Sequence, residues 1–328
     1  MKFCMIGSRG HSYYVFESIA EVAGIELCAV SSGCAEDSPD RLLAMAEKSG
    51  FSPKVFDDWK KMLDEVRPDL VSIDGKFDLH AEMCVESLKR NISVFCEKPI
   101  ALTLSDLGRI KDALAGSNAH IISMVGLRYQ PDFQYALKLV RNGAIGKVKM
   151  VHGQKSYRLG KRPDYYKKRE TFGGLIPWVG SHALDWIMAF SSSAFKNVYA
   201  TQTNSDNFDN GDMEIAAQCI GTMQNGVQFQ ASLDFLRPEK APSHGDDRVR
   251  AVGTKGIIEV RGGIVNLIDE QGKRDLPVPP QERNLFSDFA NSIAGKNRPF
   301  VSDEETVALT EACLLARESA DTGKIIVF

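Results

Sequence analysis

Short apolar runs alternate with amphipathic segments through about the first 125 residues of the chain. Over 12–23, apolar residues recur every three or four positions, which predicts a helix with one buried face, and Gly24 is typical of a left-handed helix end. The apolar runs predict strands over 3–6, 25–30, 70–73, 93–96 and 120–125, and the segments between them predict helices over 41–48, 78–89 and 105–115, the last capped by Ser105. Regular alternation of strand and helix predicts right-handed crossovers and a doubly wound, parallel α/β sheet.

After Gln130-Pro131 the pattern changes, because one more helix is followed mainly by strand-like runs. Turn sequences such as Gln224-Asn225-Gly226 join successive runs, as hairpins require. The predicted helices of this half cover 133–141, 281–293 and 303–321, and the predicted strands cover 147–152, 214–221, 227–234, 249–252, 256–260 and 264–268. We therefore expect a doubly wound domain over 1–122 and an α+β domain with a large open, mostly antiparallel sheet over 123–328, the two meeting across a cleft.

Composition and charge exclude several classes of protein. The 328 residues predict about two domains. The 40 Lys and Arg against 43 Asp and Glu leave a net charge of −3, which disfavours a strongly basic nucleic-acid binder. The seven cysteines include no CxxC pair, which argues against a zinc knuckle or redox dithiol and favours a reducing compartment. No apolar stretch approaches the roughly 18 residues of a membrane span, so we expect a cytoplasmic protein.

The segment Gly7-Ser8-Arg9-Gly10-His11-Ser12 follows the first predicted strand and opens the first predicted helix. In that position a glycine turn lets backbone amides meet a pyrophosphate. The spacing departs from GxGxxG, since Arg9 and Ser12 occupy the second and third glycine positions. An ordinary strand-to-helix turn would use the same residues, but the alternation around it favours nucleotide binding.

The second predicted strand ends in Ser31-Ser32, without the carboxylate that usually bonds the adenosine ribose of NAD. Serine hydroxyls can bond a phosphate, and Arg9 can supply positive charge. The sequence therefore favours NADP over NAD, although an ordinary serine-rich loop explains the same residues.

Glu97-Lys98-Pro99 directly follows a predicted parallel strand, at the edge where doubly wound sheets bind their ligands. A lysine partly desolvated beside a positively charged nicotinamide is expected to lose basicity and to exchange a proton near neutral pH. A solvated surface turn is the alternative for an isolated tripeptide.

A second candidate site lies in the segment from Gly173 to Trp186, where a glycine pair precedes an apolar helical stretch. His182 and Asp185 fall one turn apart on one helix face. An imidazole held by a carboxylate has a defined tautomer and can act as acid or base, whereas a histidine in an apolar helix is more often a packed core residue.

Taken together, these residues resemble the Gfo/Idh/MocA family of NAD(P)-dependent oxidoreductases over nearly the whole chain. The resemblance rests on the N-terminal glycine turn, His80, Glu97-Lys98-Pro99, Gly126-Leu127-Arg128-Tyr129, Gly143-Ala144-Ile145-Gly146-Lys147 and the stretch from Gly173 to Asp185. It implies a Rossmann domain, an open-sheet domain and hydride transfer between nicotinamide and a hydroxyl-bearing carbon of a sugar or inositol.

The resemblance also implies roles for individual residues. Lys98 would match the catalytic lysine and His182 the active-site histidine. The cofactor would be held by Gly7, Ser8, Arg9, Gly10, His11, Ser31, Ser32, Gly75, Lys76, His80, Glu97 and Lys98, and the substrate by Arg128, Tyr157, Trp178, His182 and Asp185, without a metal. The loop from His244 to Arg248 would border the same cleft, although a solvated turn explains His244 equally well.

Besides the altered glycine turn and the missing ribose-binding acid, the chain departs from the family pattern at two places. Gly75-Lys76-Phe77 replaces Thr-Pro-Asn before the helix of His80, and Trp178 replaces the Asp four residues before the histidine. Tryptophan cannot exchange a proton but can stack on a sugar ring, so Lys98 is expected to carry more of the acid–base work.

The sequence leaves three functions open. A dehydrogenase of a sugar, inositol or related polyol is favoured. A non-catalytic nucleotide- or sugar-binding sensor of the same fold would explain the altered turn and Trp178, and carbonyl or imine reduction is a third possibility, since fold does not determine chemistry. We expect a small-molecule substrate, no nucleic-acid or membrane partner, and a homodimer or homotetramer associating through the exposed face of the second sheet.

Overall fold

A computed structural model describes all 328 residues, which form two compact units. The first comprises Met1–Gly126 and Arg283–Val307, and the second comprises Leu127–Glu282 and Ala308–Phe328. The sequence-based division at 122/123 differs, because it assigns 283–307 to the second domain. This segment returns to the first unit, where the ring of Phe286 packs 5.1 Å from that of Phe3 and 5.4 Å from that of Phe95.

The strands are β1 (Lys2–Ile6), β2 (Glu26–Ser31), β3 (Lys54–Phe56), β4 (Leu70–Ile73), β5 (Ser93–Cys96), β6 (Ile121–Ser123), β7 (Val148–Ser156), β8 (Phe195–Thr203), β9 (Ala216–Met223), β10 (Gln228–Asp234), β11 (Arg248–Gly253), β12 (Ile257–Arg261), β13 (Ile264–Asp269), β14 (Gly272–Leu276) and β15 (Ile326–Val327). The helices are α1 (Tyr13–Ser18), α2 (Asp40–Lys48), α3 (Trp59–Val66), α4 (Phe77–Leu88), α5 (Leu104–Ala115), α6 (Pro131–Arg141), α7 (Arg169–Phe172), α8 (Ser181–Ser191), α9 (Leu285–Ile293) and α10 (Asp303–Thr322).

The first unit contains a six-stranded sheet in the order β3-β2-β1-β4-β5-β6, with every pair parallel. All residues of β4 and β5 are buried, as expected for strands covered by helices on both faces. The strand order reverses at β1, and such a point is where an open α/β sheet binds ligands beyond its carboxyl ends. The predicted parallel, doubly wound sheet is confirmed.

The second unit contains a nine-stranded sheet in the order β14-β13-β12-β11-β7-β10-β9-β8-β15. Only β7 and β10 pair in parallel, so the predicted mostly antiparallel sheet is also confirmed. The fully buried helix α8 packs against β7, β10 and β11. Gly153 of β7 makes this approach possible, because a Cβ there would lie 3.1 Å from the carbonyl oxygen of Ala183.

Several local predictions were wrong. The helix predicted over 12–23 ends at Ser18 and continues as a 3₁₀ turn, Ile19–Glu21. The cap of α5 is Thr103 and not Ser105, since the Thr103 hydroxyl accepts the amide N–H of Asp106 at 3.0 Å. The short elements β3 and α3 and the long strand β8 were not predicted.

All seven cysteines are free thiols. None of the helices combines the length and the apolar content that a membrane crossing requires.

Candidate active site

The glycine turn after β1 lies against the loop after β4. Gly7 has a φ of +78°, and a Cβ at this position would lie 2.6 Å from the Cα of Gly75. The two loops therefore meet backbone to backbone, and only glycine fits the first of them.

The carboxylates of Asp74 and Glu97 accept hydrogen bonds from the backbone of the glycine turn. Gly10 and Ser12 donate their amide N–H groups to Asp74 Oδ1 and Oδ2 at 2.8 and 2.9 Å, and His11 donates its amide to Glu97 Oε2 at 2.9 Å. Each of these three amides is therefore bonded within the protein, and the expectation that the turn meets a pyrophosphate stays a prediction. Sequence reasoning missed Asp74, although it directly follows β4 as Glu97 follows β5.

The two carboxylates differ in charge although both are fully buried. Burial raises the pKa of Asp74 to about 8, with the negative charge of Glu97 adding to the effect and the Ser12 hydroxyl opposing it. Burial also acts to raise the pKa of Glu97, but His11 and Lys98 outweigh it and lower this pKa to about 2. The two shifts therefore favour the protonated form of Asp74 and the ionised form of Glu97 at neutral pH.

Lys98 belongs to a chain of polar contacts around Glu97. Its Nζ donates to Glu97 Oε1 at 3.0 Å, and the other carboxylate oxygen lies 2.5 Å from His11 Nδ1. Lys98 is 3% exposed and Glu97 is fully buried, so this charged pair is shielded from bulk water. A buried amine held by a carboxylate at the carboxyl edge of the sheet is suited to proton transfer.

His80 joins two loops at the same edge. Its Nδ1 lies 2.9 Å from the carbonyl oxygen of Pro99, and its Nε2 lies 3.2 Å from that of Gly75. Burial lowers the pKa of His80, with the two carbonyls partly offsetting this effect. Because a neutral imidazole has a single N–H, it donates to one of these carbonyls at a time, and the ring is held between the two loops.

Cations surround the glycine turn. Arg41, which sequence reasoning missed, donates to the carbonyl oxygen of Ser8 at 2.6 Å. Lys76 pairs with Glu36 at 2.6 Å, and Arg9 pairs with Asp37. The charges of Lys76 and Arg9 are therefore matched by carboxylates, whereas Arg41 bonds only backbone carbonyl oxygens.

The loop after β2 contains an acid that the sequence analysis did not assign. Asp37 is one of its residues, and its Oδ2 is buried without a hydrogen-bond partner. The hydroxyl of Ser31, at the end of β2, is also buried and unpartnered, whereas Ser32 is half-buried. Together these groups fit a dinucleotide. The buried oxygens can take part in hydrogen bonds, Gly7 and Gly75 leave room for close backbone approach, and the nearby cations can attract phosphates.

In the second unit, Trp178 and His182 lie on a continuous helical segment. A π-helical turn, Ile176–Gly180, runs directly into α8, which places Trp178 one turn before His182. Trp178 is 5% exposed and His182 is 7% exposed, and the ring of Tyr166 packs edge-on 6.0 Å from that of Trp178.

Arg128 and Asp185, both assigned to the substrate side, bond each other. The guanidinium Nε donates to Asp185 Oδ2 at 2.9 Å, and Nη2 contacts the second carboxylate oxygen. Each side chain is 1% exposed. Their predicted contact with substrate stays a prediction, and the geometry gives them a structural role beside α8.

The fifth predicted substrate residue, Tyr157, directly follows β7 and is buried. Its ring packs edge-on against Phe235 at 5.0 Å and lies 5.4 Å from the ring of His244. All five predicted substrate residues therefore belong to the second unit, and all the predicted cofactor residues belong to the first.

Known proteins resemble the chain in sequence and in fold. A myo-inositol 2-dehydrogenase from Thermotoga maritima is 27% identical over 241 residues, covering 72% of this chain and 70% of the relative. A glycosyl hydrolase family 109 protein from Akkermansia muciniphila is 27% identical over 276 residues, covering 73% of this chain but only 56% of the relative's length. The solved structure of a putative oxidoreductase from Thermotoga maritima is 41% identical, with all of both chains aligned and a TM-score of 0.95.

Two family profiles match successive parts of the chain. Residues 1–126 match the NAD-binding Rossmann fold of an oxidoreductase family, and residues 133–259 match the C-terminal domain of the same family. The chain belongs to the GFO/IDH/MocA oxidoreductase family.

Proposed function

We propose that the protein is a nicotinamide-dependent dehydrogenase that oxidises a CH–OH group of a sugar, inositol or related polyol. The observation that carries this proposal is the buried Lys98 ammonium, bonded to Glu97 at the carboxyl edge of an NAD-binding Rossmann sheet. The similarity to a myo-inositol 2-dehydrogenase supports the substrate class.

The residues around the glycine turn would hold the dinucleotide. Gly7 and Gly75 provide room for close backbone approach, and Arg41, which bonds backbone carbonyl oxygens, provides positive charge for its phosphates. When bound, the nicotinamide accepts hydride from the carbon that bears the reacting hydroxyl.

Lys98 would take the proton that this hydroxyl loses, acting in its neutral amine form, which the positive charge of a bound nicotinamide favours over the ammonium. Glu97 holds the Nζ of Lys98 from one side and the imidazole of His11 from the other. The carboxylate thereby orients the amine, and the surrounding burial keeps competing water away.

His182 would serve the same reaction by bonding the reacting hydroxyl, and Trp178 would stack on the apolar face of the sugar ring. If Lys98 and His182 act as a unit, replacing both should cost little more than replacing Lys98 alone.

We propose NAD as the cofactor, in place of the NADP that the sequence favours. Asp37 supplies a buried carboxylate oxygen after β2 that can accept a ribose hydroxyl, and such an acid would repel a 2′-phosphate. Arg9, the cation expected to bind that phosphate, is already paired with Asp37. Titration with both nucleotides tests this choice, and tighter binding of NADP would reverse it.

Substitution of Lys98 tests the catalytic assignment. Lys98→Met should lower turnover by at least about 10²-fold, the usual size of an acid–base contribution, and leave nucleotide affinity nearly unchanged. Lys89→Met, at an exposed lysine of the same unit, is the matched control. Unchanged turnover in Lys98→Met would remove this residue from the mechanism.

A sensor without catalysis is the second candidate, and one observation favours it: the amides of Gly10, His11 and Ser12 are all bonded within the protein. Absence of affinity for NAD and NADP in the purified protein would support a sugar sensor. Binding of NAD or NADP, followed by reduction of that nucleotide when a polyol is added, would exclude the sensor.

We propose that the protein is a homodimer formed through the outer face of the nine-stranded sheet. Tyr199 and Ile220 are cross-strand partners on β8 and β9, and they are 38% and 49% exposed. Ile220→Glu should convert the dimer to a monomer in sedimentation velocity, and a wild-type monomer would contradict the proposal.

A further inference from the structure

The end of β7 presents polar side chains on the face that packs against α8. Residues of β7 alternate between buried and half-buried, so Gly153, Lys155 and Tyr157 share one face. Gly153 contacts Ala183, which is the neighbour of His182. Lys155 and Tyr157 therefore lie along the same side of the sheet as the helix that carries His182.

Lys155 is 9% exposed, and its charge is matched by one carboxylate. Its Nζ lies 2.8 Å from both carboxylate oxygens of Asp247 and 5.1 Å from the centre of the Tyr157 ring. Burial lowers the pKa of Lys155, and Asp247 opposes this effect.

The loop that carries Asp247 is hydrogen-bonded to the end of β7. Asp246 donates its amide to the carbonyl oxygen of Ser156 at 2.8 Å, and Arg158 donates its amide to that of His244 at 3.2 Å. The loop thus continues the hydrogen-bond ladder beyond β7 and holds His244 and Asp247 in place.

Arg162 lies beside Tyr157 and pairs with no carboxylate. Its guanidinium carbon is 4.9 Å from the ring centre of Phe235, 5.4 Å from that of Tyr166 and 5.6 Å from that of Tyr157. Its Nε is buried and has no hydrogen-bond acceptor. The aromatic rings fix the guanidinium plane, and a buried donor without an acceptor is costly unless a ligand supplies one.

Around His244, the positive charges of Lys155, Arg158 and Arg162 outnumber the negative charge of Asp247. Arg158 bonds only carbonyl oxygens, those of Pro238 and Ala241, so its charge is not neutralised there. The pKa of His244 is lowered by burial and then by Lys155, Arg162 and Arg158, with Asp247 the opposing charge. The field at His244 is therefore positive.

We propose that Lys155, Arg158, Arg162 and His244 form an anion subsite that holds a carboxylate of the substrate, so that the substrate is a sugar acid. This inference rests on the proposed function, whose substrate class it narrows. The planar guanidinium of Arg162 matches a carboxylate in a two-point contact. Because Lys155 is paired and Arg158 bonds carbonyls, one unpaired guanidinium fits a monoanion better than a phosphate dianion.

Side chains of the second unit connect the subsite to Trp178 and His182. Tyr166 contacts both the Arg162 guanidinium and the Trp178 ring, and Trp178 precedes His182 by one turn. A carboxylate at Arg162 would therefore fix one end of a sugar whose ring stacks on Trp178.

Matched triplets of ligands test the inference: a hexose, the corresponding hexuronate and the corresponding hexose 6-phosphate, in the gluco, galacto and manno series. Binding is measured by calorimetry with NAD present, and turnover is followed separately by nicotinamide absorbance. We expect one hexuronate to bind at least tenfold tighter than its neutral hexose, with an affinity that falls as salt is added. Equal affinity for hexose and hexuronate in all three series, absence of hexuronate binding, or a preference for the phosphate would overturn the assignment.

Arg162→Gln should abolish the preference for hexuronate, and Arg162→Lys should restore only part of it, because lysine keeps the charge without the planar fork. Lys161→Gln, at the exposed neighbour, is the matched control and should keep the preference. A retained preference in folded Arg162→Gln would overturn the subsite, and the salt dependence of the wild type decides the matter if that variant fails to fold. Hexuronate binding without turnover would contradict only the dehydrogenase, whereas turnover of neutral sugars without a hexuronate preference would contradict only the subsite.

Discussion

Asp74 and Glu97 follow neighbouring strands and bind the same turn, Asp74 through the amides of Gly10 and Ser12 and Glu97 through the amide of His11. The turn is therefore anchored at its base by two carboxylates, which also bond the side chains of His11 and Ser12. This arrangement links the shape of the cofactor turn directly to Glu97, which also holds Lys98.

Gly10 is the position at which this anchoring is most sensitive to side-chain size. A Cβ there would lie 2.5 Å from Asp74 Oδ1 and 2.7 Å from Glu97 Oε2, so Gly10→Ala must push both carboxylates away. We expect a loss of about 1–3 kcal/mol in unfolding free energy, the usual cost of overpacking, together with weaker NAD binding. Urea unfolding followed by circular dichroism measures the first effect.

Gly108 provides the matched control for that substitution. It lies inside α5, and a Cβ there would meet no atom within 4 Å. Gly108→Ala should therefore stabilise the protein by up to about 1 kcal/mol, because alanine favours a helix interior. If both substitutions changed stability alike, the close contact at Gly10 would not determine the effect.

The raised pKa of Asp74 predicts a loss of stability as pH rises. The carboxyl titrates near 3.8 in the unfolded chain and at about 8 in the folded one, so the folded state alone holds the proton between these values. Asp74 therefore reduces stability progressively from about pH 4 to pH 8. Asp74→Asn cannot ionise, so its melting temperature should gain on that of the wild type as pH rises from 5 to 9.

The contribution of Glu97 to stability depends on pH in the opposite direction, so the effects of the two residues can be measured separately. Its pKa falls from 4.5 to about 2 on folding, so its stabilisation is present above pH 4.5 and is lost only in stronger acid. Asp112→Asn, at an exposed aspartate of α5, is the control and should run parallel to the wild type. A constant difference between Asp74→Asn and wild type from pH 5 to 9 would contradict the buried proton.

The sequence predicted the parallel sheet because its central strands are short, mostly apolar runs. The predicted strands 70–73 and 93–96 coincide with β4 and β5, where every residue is buried. In contrast, β3 has only three residues, of which two are exposed, so its pattern carries little information. β8 does alternate between buried and exposed positions, but its polar residues obscured the signal.

Within the candidate site, sequence reasoning found Lys98 and the glycine turn because each directly follows a strong strand. It missed Asp37, because that residue lies in a loop whose path no local pattern reveals. It also missed the partners of Asp74, which are 62–64 positions away and depend on the strand order. The position of Asp74 at the end of β4 was a signal that could have identified it.

The buried ion pair of Arg128 and Asp185 predicts a large and asymmetric effect on stability. Asp185→Asn removes the carboxylate charge that the buried guanidinium bonds, which should cost about 3–5 kcal/mol of unfolding free energy. Glu282→Gln breaks the exposed pair with Lys138 in the same unit and should cost less than about 1 kcal/mol. Tryptophan fluorescence during urea unfolding measures both, since Trp178 and Trp186 lie in this unit.

The double variant Arg128→Met, Asp185→Leu separates the charge from the packing at that position. Removing both charges also removes the desolvation cost of each, so the double variant should be more stable than Asp185→Asn although it changes more atoms. If Asp185→Asn instead lay within 1 kcal/mol of the wild type, the guanidinium would be reaching water or another acceptor. The pair would then be free to meet a substrate, as the sequence predicted for both residues.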